Sequence, residues 1–316
     1  MKISVLDRST ISPNGDISFS ELEKLGDVRI FPMTSPDDTV KNISDAEIVL
    51  CNKVLITRDI IDKCPNIKYI GLFATGFNNV DIEYAAQKGI TVCNAGSYST
   101  DAVAQQVFAC ILDRYSRIRD YDTAVRNGEW IKSPTFSYFP FPTAELSGRT
   151  LSIVGYGSIG HKVAWIGRAF GMNIIISTRT VPESCPYELA DIFRAAEKAD
   201  ILTFHCPLTE QTRGIVNSEL LNRMKPSAML INTSRGGVVN ENDLADALNN
   251  NKISAAYLDV LDKEPMSPDT SLRYAKNCII TPHTAWAAYE TRKRLAEIVF
   301  ENVRAWLDGS PQNKVN

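Results

Sequence analysis

The chain carries little that would direct it to a charged polymer or a lipid phase. Its formal net charge is −3, from 34 basic and 37 acidic residues, with no basic block; this excludes an electrostatic footprint for nucleic acid or an anionic bilayer. No apolar run approaches the roughly 18 residues that read as a membrane span. The start, Met1-Lys2-Ile3-Ser4-Val5-Leu6-Asp7, lacks the apolar core of a signal peptide and reads as a first strand. Cysteines number seven, an odd count with no C-x-x-C pair. Neither a disulfide framework nor a metal site is therefore expected, and reduced thiols in a cytoplasmic protein are. Histidines number only three, which narrows any search for an acid–base group. Internal repeats and low-complexity segments are absent.

What is present begins mid-chain. Gly155-Tyr156-Gly157-Ser158-Ile159-Gly160 follows the apolar run Leu151-Ser152-Ile153-Val154. A bare G-x-G-x-x-G is often only a tight turn, but here the context adds meaning. Lys162 to Phe170 has Val163, Ile166 and Phe170 at helical spacing, Gly171 is a helix stop, and Ile174-Ile175-Ile176 reads as a second buried parallel strand. A glycine turn between strand and helix lets backbone amides approach a pyrophosphate at the helix N-terminus. About half of the chain precedes this turn, so another domain must be built at least partly from the N-terminal half.

The expected fold class is α/β with two domains. Short apolar strands at Ile3–Leu6, Val28–Phe31, Ile48–Leu50, Tyr69–Phe73 and Thr91–Asn94 alternate with polar helical segments such as Phe19–Leu25 and Ile82–Gln87. That is the pattern of a parallel sheet with crossover helices, here a flavodoxin-like substrate domain. Asp101–Asn127 reads as one long helix with apolar Val103, Val107, Ile111 and Ile118. The loop Ser133–Pro142, rich in proline and aromatics, is expected to pack on a surface or a partner. Six strands follow, at Leu151–Val154, Ile174–Ile176, Ile201–Phe204, Ala228–Asn232, Ala255–Leu258 and Cys278–Thr281. They suggest a Rossmann-type doubly wound sheet. The final helix, Glu290–Leu307, is expected to return to the first domain. The expected division is residues 1–99 with 286–316 for substrate and 100–285 for the dinucleotide, with cofactor and substrate in a cleft between them.

Ligands of open α/β sheets sit beyond the carboxyl ends of the strands. Three such ends carry chemistry. Thr233, Ser234, Arg235, Gly236 and Gly237 follow one strand, Asp259 and then Glu264 another, and Thr281, Pro282 and His283 a third. Reduction of a 2-oxo acid by hydride transfer needs a proton donor matched to neutral pH, a cation to hold the carboxylate, and a carboxylate to orient the imidazole. Arg235, Glu264 and His283 satisfy that set. Taken singly, each has a plainer reading as a loop or solvated residue. His283 has a rival in His205, which also ends an apolar strand, whereas His161 reads as structural or solvent-facing.

These residues carry a resemblance. The chain resembles the D-isomer-specific 2-hydroxyacid dehydrogenases from end to end. The matching pieces are Gly155 to Gly160, His205-Cys206-Pro207-Leu208-Thr209, Ile231-Asn232-Thr233-Ser234-Arg235-Gly236, Ala256-Tyr257-Leu258-Asp259-Val260 with Glu264-Pro265, and Thr281-Pro282-His283-Thr284-Ala285-Trp286. Within the family, Phe73-Ala74-Thr75-Gly76-Phe77-Asn78-Asn79-Val80-Asp81, Tyr98 to Gln105 and Trp286 look like the glycerate dehydrogenase (hydroxypyruvate reductase) group. The resemblance implies Arg235 as substrate anchor, His283 as proton donor and Glu264 as its partner. It implies that the amides of Ala74, Thr75 and Gly76 bind the substrate carboxylate and that Asp259 faces the nicotinamide. It places the cofactor on Gly155, Gly157, Ser158, Ile159, Gly160, Thr178, Arg179, Cys206, Pro207, Thr233, Ser234, Asp259 and Ala285. No metal is implied, and a homodimer is.

One position departs from the pattern of NAD-specific members, which end the second strand with an acidic residue bonded to the ribose 2′-hydroxyl. Here that position is Thr178, followed by Arg179 and Thr180. No carboxylate is present to repel a 2′-phosphate, and Arg179 is placed to pair with one. NADP(H) is therefore expected over NAD(H); attraction near a surface is worth about a few kcal/mol at most, so use of both is compatible with the sequence. Other readings on this scaffold are weaker. Formate dehydrogenases carry glutamine where this chain has Glu264. A phosphoglycerate dehydrogenase with a regulatory domain is disfavoured because the chain ends at Asn316, although short members exist. A nucleotide-sensing corepressor would be expected to show a partner groove or basic surface.

Overall fold

The computed structural model describes residues 1–180 and 183–316. The chain divides into two compact units, Met1–Ser99 with Trp286–Asn316, and Thr100–Ala285.

The first unit is built on five parallel strands: β1 (Lys2–Val5), β2 (Asp27–Ile30), β3 (Ile48–Cys51), β4 (Tyr69–Leu72) and β5 (Thr91–Cys93). They lie in the order β2-β1-β3-β4-β5, the flavodoxin-like arrangement. Strands β3 and β4 are buried throughout, as expected where helices cover both faces of a parallel sheet. One face packs Ile3, Leu50, Tyr69 and Phe73 against Leu295, Val299, Phe300 and Val303 of the C-terminal helix, Tyr289–Leu307. The other packs Val49, Ile70 and Val92 against Ile43, Ile61 and Ala85.

The second unit contains β6 (Thr150–Val154), β7 (Asn173–Ser177), β8 (Glu188–Leu189), β9 (Ile201–Phe204), β10 (Met229–Asn232), β11 (Ala255–Leu258) and β12 (Cys278–Ile280). Their order is β12-β11-β10-β9-β6-β7-β8, all parallel, and the switch point lies between β6 and β9. This is the doubly wound dinucleotide-binding order with one added strand at the β12 edge. The sequence pattern gives six strands; β8 escapes it because the strand is two exposed residues long and has no apolar run.

The expected single helix 101–127 is two helices, Thr100–Ser116 and Ile118–Arg126. The break is Arg117, in the left-handed region at φ 53°. Such a residue costs about 1–2 kcal/mol; no glycine or proline marks the site. The Arg117 guanidinium sits 5.3 Å from the Phe141 ring centroid and pairs with Asp120, which offsets the strain. Val103, Val107 and Ile111 are buried as expected, but Ile118 is 69% exposed. In the loop 133–142 the side chains of Phe136 and Phe139 are exposed.

Candidate active site

The glycine turn follows β6 and opens the helix Ser158–Ala169. Gly155 adopts φ 95°, and a side chain there would collide with the His205–Cys206 backbone at the end of β9. A side chain at Gly160 would collide with the Gly155 carbonyl. At Gly157, by contrast, a Cβ meets no protein atom within 4 Å. Internal packing therefore accounts for two of the glycines, and the third leaves open space beside a helix N-terminus that no side chain caps. That is the requirement for close approach of a pyrophosphate. A second mark lies at the end of β10, where the Thr233 hydroxyl is buried with no partner among the described residues. Thr178 and exposed Arg179 follow β7, Cys206 is buried, and Pro207 is exposed. These residues fit a nicotinamide dinucleotide.

The loop after β10 is shaped from within. Asn232, fully buried, donates Nδ2 to the Arg235 carbonyl at 2.9 Å and accepts from the Ser234 amide at 3.0 Å and hydroxyl at 2.8 Å. Gly236 backs directly onto the Leu261–Asp262 backbone, where no side chain fits. Arg235 is exposed, makes no ion pair among the described residues, and spends one donor on the Ser234 carbonyl at 2.7 Å.

The loop after β12 is held by Asp259, which is 4% exposed. Its Oδ1 accepts from Thr281 Oγ1 at 2.6 Å and the Thr284 amide at 2.8 Å, and its Oδ2 from the Ala285 amide at 2.8 Å. The His283 N–H points back to the carbonyls of Asp259 (2.8 Å) and Thr281 (2.9 Å). His283 is thereby fixed at φ 55°, a conformation costing about 1–3 kcal/mol that this web of bonds sustains. Its Nδ1 lies 2.7 Å from Glu264 Oε2, while Glu264 Oε1 accepts from the Leu261 amide at 3.0 Å. Arg235, Glu264 and His283 line one cavity of about 350 Å³, together with Leu208, Arg213 and Gly237.

The other histidines are placed differently. His205 bonds Thr203 Oγ1 through Nε2 at 3.0 Å, while its Nδ1 is buried with no partner among the described residues. Burial alone pushes its pKa down to about 3, so it is neutral at physiological pH and carries no imidazolium proton. His161 is exposed and stacks on Tyr156 with ring centroids 3.6 Å apart.

Ala74, Thr75 and Gly76 follow β4 in the first unit. Among the described residues, their backbone N–H groups donate to no other group, whereas the carbonyls of Ala74 and Thr75 are engaged. Two residues were not singled out from the sequence as supports of the site: Asn232, and Asp259 in its role of holding the His283 loop. The available signal was a polar residue closing or following an apolar strand; what it binds depends on the next loop. No group of histidines, cysteines and carboxylates suited to a metal occurs among the described residues, and no helix there is long and apolar enough to cross a membrane.

Comparison with known proteins gives the family. Residues 108–285 match the model of the D-isomer-specific 2-hydroxyacid dehydrogenase NAD-binding domain. The chain is 40% identical to a hydroxypyruvate reductase of Blautia hydrogenotrophica over the whole of both chains. It is 35% identical to a glycerate dehydrogenase of Methylorubrum extorquens, covering 99% of this chain and 98% of that protein. Among solved structures, an NADPH-dependent glyoxylate/hydroxypyruvate reductase from Sinorhizobium meliloti superposes with a TM-score of 0.84 at 28% identity, covering 99% of this chain and 97% of the other. Two units with these strand orders, the glycine turn and end-to-end similarity lead to one assignment: the chain belongs to the D-isomer-specific 2-hydroxyacid dehydrogenases and uses a nicotinamide cofactor.

Proposed function

We propose that this enzyme reduces hydroxypyruvate or glyoxylate to the corresponding D-2-hydroxy acid, preferring NADPH. The observation that carries the reading is the single cavity lined by Arg235, Glu264 and His283, with the His283–Glu264 contact at 2.7 Å. The names of the relatives above supply the substrate class. When bound, the nicotinamide supplies the hydride. Arg235 holds the substrate carboxylate through its remaining guanidinium donors; in the first unit, the amides of Ala74, Thr75 and Gly76, which donate to no other described group, are assigned to carboxylate binding. His283 turns Nδ1 toward Glu264, so Nε2 is the nitrogen that gives a proton to the substrate oxygen as hydride reaches the keto carbon. The Glu264 carboxylate, 2.7 Å from Nδ1, keeps the ring oriented before and after transfer.

Residues 100–285 serve as the dinucleotide domain in this reading, with the pyrophosphate at Gly155–Gly160, and 1–99 with 286–316 as the substrate domain. Arg179 pairs with the 2′-phosphate; it has no carboxylate partner among the described residues. The exposed apolar side chains Ile118, Trp130, Ile131, Phe136 and Phe139 are assigned to the interface of a homodimer, and the seven free cysteines accord with a cytoplasmic location.

The test is initial rates of purified protein with NADPH and NADH over hydroxypyruvate, glyoxylate, pyruvate and phosphohydroxypyruvate. Fast NADPH oxidation with the first two is the expected outcome. An NADH preference removes the role given to Arg179, and turnover only with phosphohydroxypyruvate removes the substrate assignment.

A further inference from the structure

The end of the chain reaches the loop that carries Ala74, Thr75 and Gly76 by a continuous set of hydrogen bonds within the first unit. The nearest layer is the turn after β5. Its Ala95 amide donates to the Ala74 carbonyl at 2.9 Å, Asn94 Nδ2 donates to the Thr75 carbonyl at 2.8 Å, and the Thr75 hydroxyl donates to the Gly96 carbonyl. Asn94 Oδ1 accepts from the Gly96 amide at 3.1 Å, which closes the turn on itself. The carbonyls of Ala74 and Thr75 are thus drawn toward the β5 turn, and the amides of residues 74–76 are left without acceptors among the described residues.

The next layer holds Asn94 by its own backbone. Asn302, 2% exposed on the C-terminal helix, donates Nδ2 to the Asn94 carbonyl at 2.8 Å. The Asn94 amide donates to the Asn313 carbonyl at 3.1 Å, and Asn313 Nδ2 donates to Asn302 Oδ1 at 2.8 Å. Three asparagines therefore form a closed ring of bonds. Asn313 sits in the left-handed region at φ 52°, which asparagine tolerates better than most residues. Beyond it the tail runs antiparallel along β5: Cys93 bridges Lys314, the Val315 amide donates to the Val92 carbonyl at 2.9 Å, and Asn316 Nδ2 to the Ile90 carbonyl at 2.7 Å. The tail pairs an otherwise open sheet edge.

We infer that the C-terminal tail is a positioning element for substrate binding: Asn313 and Asn302, through Asn94, hold the Ala74-Thr75-Gly76 amides in the geometry that receives the substrate carboxylate. The inference rests on the reading of that loop as a carboxylate site. Asn94, Asn302 and Asn313 touch neither substrate nor cofactor in this scheme. Of the three, Asn302 is buried, Asn94 part-buried and Asn313 exposed; losing a member leaves a partner's polar group unpaired, at most cost around Asn302.

The experiment measures KM and kcat for hydroxypyruvate, and KM for NADPH, in Asn94→Ala, Asn313→Ala and the double variant of the full chain. Asn94→Ala should raise the KM for the oxo acid about tenfold, and Asn313→Ala about threefold. In both, kcat and the KM for NADPH should stay near the parent values. The double variant should fall short of the product of the two effects, since both break one network. A merely structural role would lower the active fraction, hence apparent kcat, and leave KM alone; that result, or multiplicative KM effects, overturns the inference. Asn313→Ala, on an exposed tail residue, keeps the test valid if Asn94→Ala does not fold. Gly76→Pro, which deletes one of the three amides, tests the underlying reading separately. An unchanged KM there refutes the carboxylate site itself, whereas a raised KM there with a silent Asn313→Ala refutes only the tail's part.

Discussion

Two histidines follow strands of the same sheet, His205 after β9 and His283 after β12, and their surroundings have almost nothing in common. His205 is part-buried with its Nδ1 enclosed, its ring bonds only Thr203 among the described residues, and burial of the ring pushes its pKa down. His283 sits half-buried at a cavity wall with a carboxylate on Nδ1, and its backbone is fixed by a network centred on Asp259. Position at the carboxyl end of a strand supplies opportunity alone. A proton donor also needs a charged partner and a route to the substrate.

The comparison can be broken most decisively at His283. His283→Ala should lower kcat about 10³-fold, the usual worth of a positioned acid–base group, with NADPH affinity by fluorescence titration retained. Undiminished turnover would remove the proton-donor role and reopen the case for His205. Next in size, Glu264→Gln should lower kcat about 10²-fold, because the amide still fills the space but replaces a charged acceptor at His283 Nδ1 with a neutral group that holds the ring less firmly. Steady-state rates at saturating NADPH measure it, and a variant as active as the parent would make the 2.7 Å contact incidental.

A smaller effect is expected away from both histidines. Arg179→Ala should cut the kcat/KM ratio of NADPH over NADH about tenfold, within the range for an exposed ion pair with a phosphate. A ratio that does not move assigns cofactor choice to other residues. The smallest expected change in turnover is at His205, where His205→Gln should keep most activity. Its signature is instead in stability against pH. The His205 pKa falls from 6.5 to about 3 on folding, so the folded state binds fewer protons. The stability it contributes is complete above pH 6.5 and is lost as pH falls from there toward 3. Urea unfolding across that window should show a shallower acid slope for the variant than for the parent; equal slopes would contradict the buried, neutral assignment.

The strands that are buried on both faces were legible because burial leaves a continuous apolar run. Leu151–Val154 and Ile201–Phe204 announce themselves, and β8, short and exposed, does not. The helix break at Arg117 was hidden for a related reason: its compensation comes from Phe141, 24 positions on, and no local residue marks it. Strand order follows from neither pattern, since adjacency depends on how crossover helices pack.

Chemistry divides in the same way. The glycine turn, the choice of Arg235, Glu264 and His283 as candidates, and the lack of a carboxylate at Thr178–Thr180 are all legible from residue type, spacing and position after a strand. The difference between His205 and His283 is tertiary, because it rests on enclosure of the His205 Nδ1 and on a carboxylate 19 residues from His283 in sequence. The tertiary structure likewise gave Asp259 and Asn232 their tasks and joined Asn94 to Asn302, 208 positions on, and to Asn313. Periodicity and local spacing carry information over one element or one turn. Hydrogen-bond partners are fixed by which loops the sheet order brings together, and that is settled only when the whole unit packs.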